Sequence, residues 1–168
     1  MTVAEKPRIR PLETGDFEQV IACQPDLYAV NFPHGRVGPP FVESQRQWIN
    51  DHLRSEEPNG FFVAEAGGRV VGFVWGRVLE NPLEGREGFV MQNYVLPDWR
   101  GQGLGRRLVE RLEAFFGEHR VVKMVLNASL FNDPALKLYR SVGFEAVRYE
   151  MEKRMDGKPV RPAAQGND

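Results

Sequence analysis

Residues 95–105 read VLPDWRGQGLG and join two segments of different periodicity. The residues before them, 87–95 (EGFVMQNYV), have the composition of a β-strand. After them, apolar residues recur at helical spacing from Leu104 to Phe116. The stretch therefore predicts a strand, a glycine-rich loop and the first turn of a helix, and the rest of the chain is interpreted around this unit.

The glycine-rich loop has the features of an anion-binding site. Gly101, Gly103 and Gly105 leave no side chain over the backbone, and amides at a helix N-terminus have no intrahelical acceptor. The helix dipole adds partial positive charge there, and Arg100 and Arg106 add full charges. The loop is therefore predicted to hold a phosphate group. A tight turn with ordinary surface arginines is the alternative.

Two well-known phosphate motifs are absent from this loop. The chain lacks the G-x-x-x-x-G-K-[ST] pattern of a P-loop. Its glycines also miss the G-x-G-x-x-G spacing, and the next strand ends in Leu126-Asn127-Ala128-Ser129 without the acidic residue of a dinucleotide site. A Rossmann-type nucleotide-binding domain is therefore disfavoured.

The segments around this unit predict a mixed α/β domain. Upstream, the expected elements are a strand, a helix, a proline- and glycine-rich loop, a helix and a β-hairpin, over residues 8–12, 14–23, 24–40, 41 to near Pro58, and 61–79. Downstream, they are a strand, a helix and a last strand, over residues 121–126, 135–141 and 144–155. This order predicts a mixed central sheet, with an antiparallel N-terminal half and a β-loop-α-β-α-β C-terminal half.

Length and composition indicate one ordinary globular domain. The 168 residues are expected to comprise an N-terminal tail at 1–7, a single domain at 8–155 and a polar tail at 156–168. Lysine and arginine number 22 against 23 acidic residues, a net charge of −1 that argues against a nucleic-acid partner.

Several other classes are also disfavoured. A single cysteine rules out a disulfide framework, and His34, His52 and His119 lack metal-ligand spacing, so we expect no metal. No apolar run approaches the roughly 20 residues of a membrane span, and the N-terminus lacks the apolar core of a signal peptide. A cytoplasmic location without a membrane partner is expected.

Two motifs together resemble one superfamily. Residues 100–105 (RGQGLG) satisfy the pattern [QR]-x-x-G-x-[GA], and residues 132–144 (NDPALKLYRSVGF) match N-x-x-A-x-x-L-Y-x-x-x-G-F. With an opening Ile9-Arg10-Pro11-Leu12 strand, the chain resembles the GCN5-related N-acetyltransferase (GNAT) superfamily over residues 8–155. The resemblance implies the GNAT-like acyl-CoA N-acyltransferase fold.

The resemblance also implies acetyl-CoA as co-substrate. Its pantetheine arm would run beside Val95 and Leu96, where two parallel strands separate after a bulge expected at residues 92–94. An amide of Tyr94 or Val95 would bind the thioester oxygen. Asn132 would contact the coenzyme, with a local Asx turn as the alternative. The pyrophosphate would lie on the loop of Arg100, Gly101, Gln102, Gly103, Leu104, Gly105 and Arg106.

The catalytic assignments also follow from the resemblance. Tyr139 matches the tyrosine that protonates the leaving thiolate in many members; a tyrosine packed between helix and sheet is the alternative. The position of the usual strand glutamate is Phe89, so Glu87 is our candidate base, with an exposed glutamate near a turn as the alternative. Water relayed by Gln92 or Asn93 is another route. Both side chains are expected to line the acceptor pocket, with a strand edge exposed to solvent as the alternative.

We therefore expect an N-acetyltransferase that moves an acetyl group to a primary amine in a direct ternary complex. The acceptor could be a small molecule, an antibiotic, or a protein N-terminus or lysine. A non-catalytic acyl-CoA-binding member of the same fold is the alternative. A homodimer is left open.

Overall fold

The computed structural model describes residues 6–32 and 35–160. The strands in this part of the chain are β1 (Arg8–Pro11), β2 (Asn59–Ala66), β3 (Arg69–Asn81), β4 (Gly85–Val95) and β5 (Lys123–Val125). The α-helices are α1 (Phe17–Ala22), α2 (Gln24–Asn31), α3 (Pro39–Leu53), α4 (Leu104–Glu118) and α5 (Asp133–Ser141). Short 3₁₀ turns at Thr14–Asp16 and Pro97–Trp99 precede α1 and follow β4.

The strands form one sheet in the order β1-β2-β3-β4-β5. Neighbours from β1 to β4 are antiparallel, whereas β5 pairs with β4 in parallel after the α4 crossover. The predicted mixed sheet with an antiparallel N-terminal half is confirmed.

Apolar side chains cover both faces of the sheet. On one face, Leu108, Leu112 and Phe116 of α4 pack against a cluster that includes Val74 and Val90. On the other, α1 and α3 pack against a second cluster, which includes Val20, Ile49, Val63, Phe73 and Trp75. The central strand β3 is buried on both sides, which explains why its run from Val70 to Val74 is apolar without alternation.

Two glycines let α4 lie directly on the sheet. A Cβ atom at Gly76 would come 2.6 Å from Phe116 Cζ, and one at Gly88 would come 2.5 Å from Phe116 Cδ2. Both distances are far below van der Waals contact, so any larger residue would push the helix away. These glycines therefore fix where α4, and hence the loop at its N-terminus, sits over β4.

A charged pair anchors the start of the chain to the sheet. Arg10 on β1 donates two hydrogen bonds to the Asp16 carboxylate, at 2.6 and 3.0 Å, and the Glu13 amide donates a third at 2.8 Å. Asp16 is buried. The hydrogen bond from Arg10 holds the pKa of the Asp16 carboxyl below its ordinary value of 3.8.

Three sequence-based predictions of local structure differ from the fold. Residues 24–31 were expected to be loop and are α2, because Pro25 lies in the first helical turn, where its missing N–H costs nothing. The strand predicted over 121–126 is shortened to Lys123–Val125.

The strand predicted over residues 144–155 is absent from the described structure. Its alternating Val147, Tyr149 and Met151 side chains are more than four-fifths exposed. An alternation of polar and apolar residues predicts a segment with one apolar face. A strand also needs a neighbouring strand with which to form hydrogen bonds, and the pattern does not provide that information. His34, in the predicted loop, lies outside the described residues.

Candidate active site

The parallel strands β4 and β5 separate soon after they meet. Their pairing is confined to residues 87–89 of β4 and 123–125 of β5. Beyond Phe89, β4 continues to Val95, and no neighbouring strand among the described residues pairs with that edge. The edge of β4 opposite β3 is therefore open over residues 90–95, as expected from the sequence.

A bulge lies at the start of this open edge. Gly76 of β3 is opposite Val90 and Trp75 is opposite Gln92, which leaves Met91 as the extra residue in β4. The bulge was expected at residues 92–94, so it falls one residue earlier. A bulge twists and bends its strand, which accounts for β4 leaving β5 at this point.

The hydrogen bonds of β4 decide which backbone groups face the open edge. The Leu96 amide donates to Val71 O at 3.0 Å, so it points toward β3. In an antiparallel pair the pattern alternates, so Tyr94 also points toward β3, and Asn93 and Val95 point away from it. Of the three residues assigned to backbone contacts, only Val95 fits, because Tyr94 and Leu96 have their backbone groups inside the sheet.

The loop after β4 presents a row of free amides. Gly101 and Gly103 have φ values of 75° and 76°, in the left-handed region that other residues avoid. Within the described residues, none of the backbone N–H groups of residues 101–106 donates a hydrogen bond to another backbone group. A Cβ atom at Gly101 or Gly103 would contact nothing within 4 Å, so space above these amides is open.

Two side chains of the loop donate hydrogen bonds to nearby backbone carbonyls and so stabilise its conformation. Arg100 Nε donates to Val95 O at 2.8 Å, and its guanidinium lies 5.6 Å from the centre of the Tyr94 ring. Gln102 Nε2 donates to Asp98 O at 3.2 Å. Arg106 is exposed at the first turn of α4, and Leu104 is buried beneath it. The cationic side chain most open to a ligand here is thus Arg106.

Tyr139 lies on α5 beside the open edge of β4. Burial raises the pKa of its hydroxyl above the ordinary value of 10.0, and a hydrogen bond from the Asn93 side chain acts in the opposite direction. The hydroxyl is therefore protonated at neutral pH. The structure thus brings this side chain close to Asn93 of β4, whereas Asn93 was expected to line the acceptor pocket.

Asn132 begins α5 and joins it to α2. Its Oδ1 accepts from the Ala135 amide at 3.2 Å, so it caps the N-terminus of α5; the alternative expected from the sequence was a local Asx turn. Its Nδ2 donates to Asn31 Oδ1 at 3.3 Å. Asn132 thus fixes the helix that carries Tyr139, and neither contact prevents its further use toward a ligand.

Glu87 lies away from the other predicted site residues. It precedes the bulge, in the paired part of β4, and its carboxylate contacts Lys123 Nζ at 3.0 Å and the Asn81 amide. The hydrogen bond from Lys123, with that from Asn81, lowers the pKa of Glu87 below its ordinary value of 4.5. A carboxylate held in this way is a weak base.

Gln92, which was expected to line the acceptor pocket, is buried against α2. It forms a reciprocal pair with Gln24 of α2: Gln92 Nε2 donates at 2.9 Å and Gln24 Nε2 donates at 3.2 Å. Both residues are buried. The pair ties α2 to the bulge of β4, and Gln24 was missed because nothing in the sequence relates it to a residue 68 positions away. The sequence gives one indication of a role for Gln24, namely that it is a polar residue next to apolar ones in a helix.

Comparison with known proteins agrees with this geometry. The profile of the Acetyltransferase (GNAT) family matches residues 25–144. An N-alpha-acetyltransferase of Sulfurisphaera tokodaii is 27% identical over 159 residues, covering 90% of this chain and 87% of the relative. A mycothiol acetyltransferase of Thermobifida fusca is 39% identical over 95 residues, 53% of this chain but only 29% of that longer protein.

Solved structures share the same fold. A GCN5-related N-acetyltransferase from Ralstonia eutropha JMP134 is 27% identical, with a TM-score of 0.69 over 90% of this chain and 99% of that one. The aminoglycoside N-acetyltransferase AAC(6')-Iy, solved with CoA, has a TM-score of 0.68 over 92% and 97% of the chains. At 18% identity, this second likeness shows the fold alone.

The chain belongs to the GNAT family of acetyltransferases, and it is an acyltransferase of that family. The resemblance carried by residues 100–105 and 132–144 is confirmed. No described helix is long and apolar enough to cross a membrane. Within the described ranges, no three His, Cys, Asp or Glu side chains are grouped to hold a metal ion.

Proposed function

We propose that this protein transfers the acetyl group of acetyl-CoA to a primary amine in a direct ternary complex. One observation carries the proposal: within residues 6–32 and 35–160, the amides of residues 101–106 are free, and they follow β4, whose edge over residues 90–95 pairs with no strand. A phosphate cradle that continues into an open strand edge suits a ligand with a pyrophosphate at one end and an amide-bearing arm.

The residues present fit such a co-substrate. The amides of residues 101–106, with Arg106, would hold the pyrophosphate. The outward-facing backbone groups of Asn93 and Val95 would bind the arm, and because Arg100 occupies the Val95 carbonyl, the Val95 amide is the free group there. Bound acetyl-CoA supplies an already activated thioester, so the protein has to orient it, stabilise negative charge on its oxygen and protonate its sulfur.

Two groups of this chain can perform those last tasks. The amide of Asn93 or Val95 faces the open edge and can donate to the thioester oxygen as charge develops there. Tyr139 keeps its proton at neutral pH because burial raises its pKa, so it can donate that proton to the leaving sulfur.

The amine must arrive neutral and lose its proton after attack. Glu87 remains the base proposed from the sequence, but its ion pair and lowered pKa argue against it. We therefore propose that water accepts this proton and that no carboxylate of the chain is required.

A direct transfer is supported by the state of Cys23. Burial raises the pKa of this single cysteine to about 11, and its thiol donates to Gln19 O at 3.3 Å. A protonated, hydrogen-bonded thiol is a poor nucleophile. An acetyl-enzyme on this residue is therefore disfavoured.

The acceptor side offers an apolar surface. A cavity of about 260 Å³ lies beside α2 and is lined by Tyr28, Phe32 and Phe41 among others. The same helix contacts the bulge of β4 through Gln24 and the start of α5 through Asn31. This position suits the group next to the amine, and the S. tokodaii relative, named an N-alpha-acetyltransferase, makes a peptide N-terminus the first acceptor to try.

The test is thiol release from acetyl-CoA with a panel of amines. The panel contains peptides with free N-termini, N-terminally blocked peptides with an internal lysine, an aminoglycoside and small amines. We expect release that depends on at least one class, intersecting initial-velocity patterns, and no acetylated protein when the amine is omitted. CoA binding without amine-dependent release from any class would instead favour the non-catalytic acyl-CoA-binding alternative.

A further inference from the structure

The helix that carries Tyr139 has little anchorage in the core. None of the nine residues of α5, all of which the structure describes, is fully buried, whereas α4 buries five. Leu138 contacts the first turn of α4, because its Cδ2 lies 3.1 Å from the position that a Cβ atom at Gly105 would take. A catalytic group displaced by about 1 Å can lose about 100-fold in rate, so such a helix needs further contacts that fix its position.

A chain of three hydrogen bonds ties the start of α5 to the end of α2. Asn31 Nδ2 donates to Leu27 O at 3.0 Å, and Asn132 Nδ2 donates to Asn31 Oδ1 at 3.3 Å. The Ala135 amide then donates to Asn132 Oδ1 at 3.2 Å. The two ends of the chain are backbone groups, a carbonyl that can only accept and an N–H that can only donate. These ends determine the orientation of both side-chain amides, so the bond between the two asparagines has a donor on one side and an acceptor on the other.

The other end of α2 is tied to β4. Gln24 Nε2 donates to Gln92 Oε1 at 3.2 Å and to Val20 O at 3.3 Å, and Gln24 Oε1 accepts from Gln92 Nε2 at 2.9 Å. Gln24 and Asn31 are seven residues apart, so they lie on the same face of α2, about 10 Å apart along the helix axis. One face of α2 therefore joins the bulge of β4 to the N-cap of α5.

We propose that Asn31 is a positioning residue for the reaction: through Asn132 it holds α5, and with it the Tyr139 hydroxyl, at a fixed place relative to β4. This inference rests on the proposed function, because the acid whose position it fixes is proposed there. Asn132 and Tyr139 are seven residues apart and share a face of α5. A shift of the Asn132 end would therefore move Tyr139 relative to the strand edge that would carry the thioester arm.

Two other roles for this bond would give different results. If the bond between Asn31 and Asn132 only adds stability, its loss lowers the unfolding temperature and leaves kcat of the folded protein unchanged. If Asn31 keeps Asn132 away from the coenzyme, its loss strengthens CoA binding. A positioning role instead requires a lower kcat at nearly constant CoA affinity, and that loss must depend on the Tyr139 hydroxyl.

The experiment compares Asn31→Ala with Asn31→Asp, using the amine that supports the most thiol release. Asn31→Ala removes the acceptor for Asn132 Nδ2, so kcat should fall about three- to tenfold, the range for losing one hydrogen bond, with the Kd of CoA within about twofold of the wild type. Asn31→Asp keeps an oxygen for Asn132 but has no N–H for Leu27 O. Its kcat should therefore stay within about twofold of the wild type, even though its unfolding temperature falls. Val30→Ala, at an exposed position of the same helix, is the matched control and should change neither quantity.

A double-mutant cycle with Tyr139→Phe separates positioning from general damage. In the Tyr139→Phe background, Asn31→Ala should change kcat less than about twofold. Thermal unfolding and CoA titration of each variant show that it is folded.

Three results would overturn the positioning role while leaving the acid role of Tyr139 intact: an Asn31→Ala variant as active as the wild type, an equal loss of kcat in Asn31→Asp, or a loss that persists in the Tyr139→Phe background. A Tyr139→Phe variant with unchanged kcat would overturn both roles. An absence of amine-dependent turnover in the wild type would overturn the proposed function itself and this inference with it.

Discussion

At the scale of single residues, the site depends on which atoms are already engaged. Glu87 and Tyr139 were both chosen from the sequence, yet the structure treats them differently. The Glu87 carboxylate is held by Lys123 and Asn81, whereas burial raises the pKa of the Tyr139 hydroxyl and no ion pair engages it within the described residues. We therefore expect a substitution of Tyr139 to lower kcat and a substitution of Glu87 to leave kcat nearly unchanged.

Tyr139→Phe removes the proposed acid and little else. We expect kcat to fall by about 10- to 10³-fold, the range for one acid catalyst, with CoA affinity retained. Steady-state kinetics measures kcat, and calorimetry on the same preparation measures the affinity for CoA. An unchanged kcat would remove Tyr139 from the mechanism.

Glu87→Gln tests the base chosen from the sequence. Since the lowered pKa makes Glu87 a weak base and its partners hold it in the paired part of β4, kcat should stay within about twofold of the wild type at neutral pH. The pH dependence of kcat/KM from acid to neutral should also be unchanged. A loss of tenfold or more would restore Glu87 as the base.

Residue identity alone could not supply these distinctions. The motif containing Tyr139 predicts its position because it fixes spacing along a helix. By contrast, the backbone groups of Tyr94, Val95 and Leu96 alternate between facing β3 and facing outward. Which of them faces outward depends on where the bulge of β4 falls, because a bulge that is displaced by one residue reverses the alternation. The Gln24–Gln92 pair depends on a contact between distant segments, which no local pattern reports.

At the scale of elements, the turn between β4 and α4 forms the ligand cradle. Gly103 precedes the first residue of α4 with left-handed backbone and no side-chain cap, so the amides at this helix end have no internal partner. The sequence predicted this turn well, because three closely spaced glycines between a strand and a helix are a local signal that needs no distant contact. It predicted the last strand poorly, because pairing depends on a neighbour.

Gly103→Glu should abolish CoA binding by placing bulk and negative charge over the free amides. Gly68→Glu is a matched control, since Gly68 has the same φ of 76° and equally open space, but lies in the β2–β3 turn. Both variants carry the same backbone strain, so both should unfold at similar temperatures. Calorimetry should show binding only for Gly68→Glu. CoA affinity retained in a folded Gly103→Glu variant would place the phosphates elsewhere.

At the scale of the whole molecule, the site is assembled from both halves of the chain. The N-terminal half of the chain contributes β1 and α1–α3, the middle contributes β4 and the loop that follows it, and the C-terminal half contributes α5. The antiparallel half holds β4 in place from one side, so its other edge can remain open. Fold class and crossover followed from the order of elements in the sequence.

The anchor between Arg10 and Asp16 gives a pH-dependent contribution to stability. Because the pKa of Asp16 is lower in the folded chain than in the unfolded one, the contribution is complete above the unfolded value and is lost as pH falls through the folded value. Asp16→Asn should therefore cost about 2–3 kcal/mol at pH 7.

The free energy of unfolding of Asp16→Asn and of the wild type is measured by urea unfolding at pH 7, and again at a pH below 3.8, the ordinary pKa of this carboxyl. The difference between Asp16→Asn and the wild type should shrink in acid. The exposed Asp51→Asn, whose carboxylate only accepts from Gln47, should change stability by under about 0.5 kcal/mol at either pH. Equal stability of Asp16→Asn and wild type at pH 7 would show that the anchor contributes nothing.

The central claim is that the open edge of β4 and the amides of residues 101–106 form a coenzyme A site. Calorimetric titration of the wild-type chain with acetyl-CoA, against NAD and ATP under the same conditions, tests it most directly. We expect saturable binding of acetyl-CoA at one site per chain and no binding of comparable strength for NAD or ATP. No heat from acetyl-CoA, or equal binding of NAD, would contradict it.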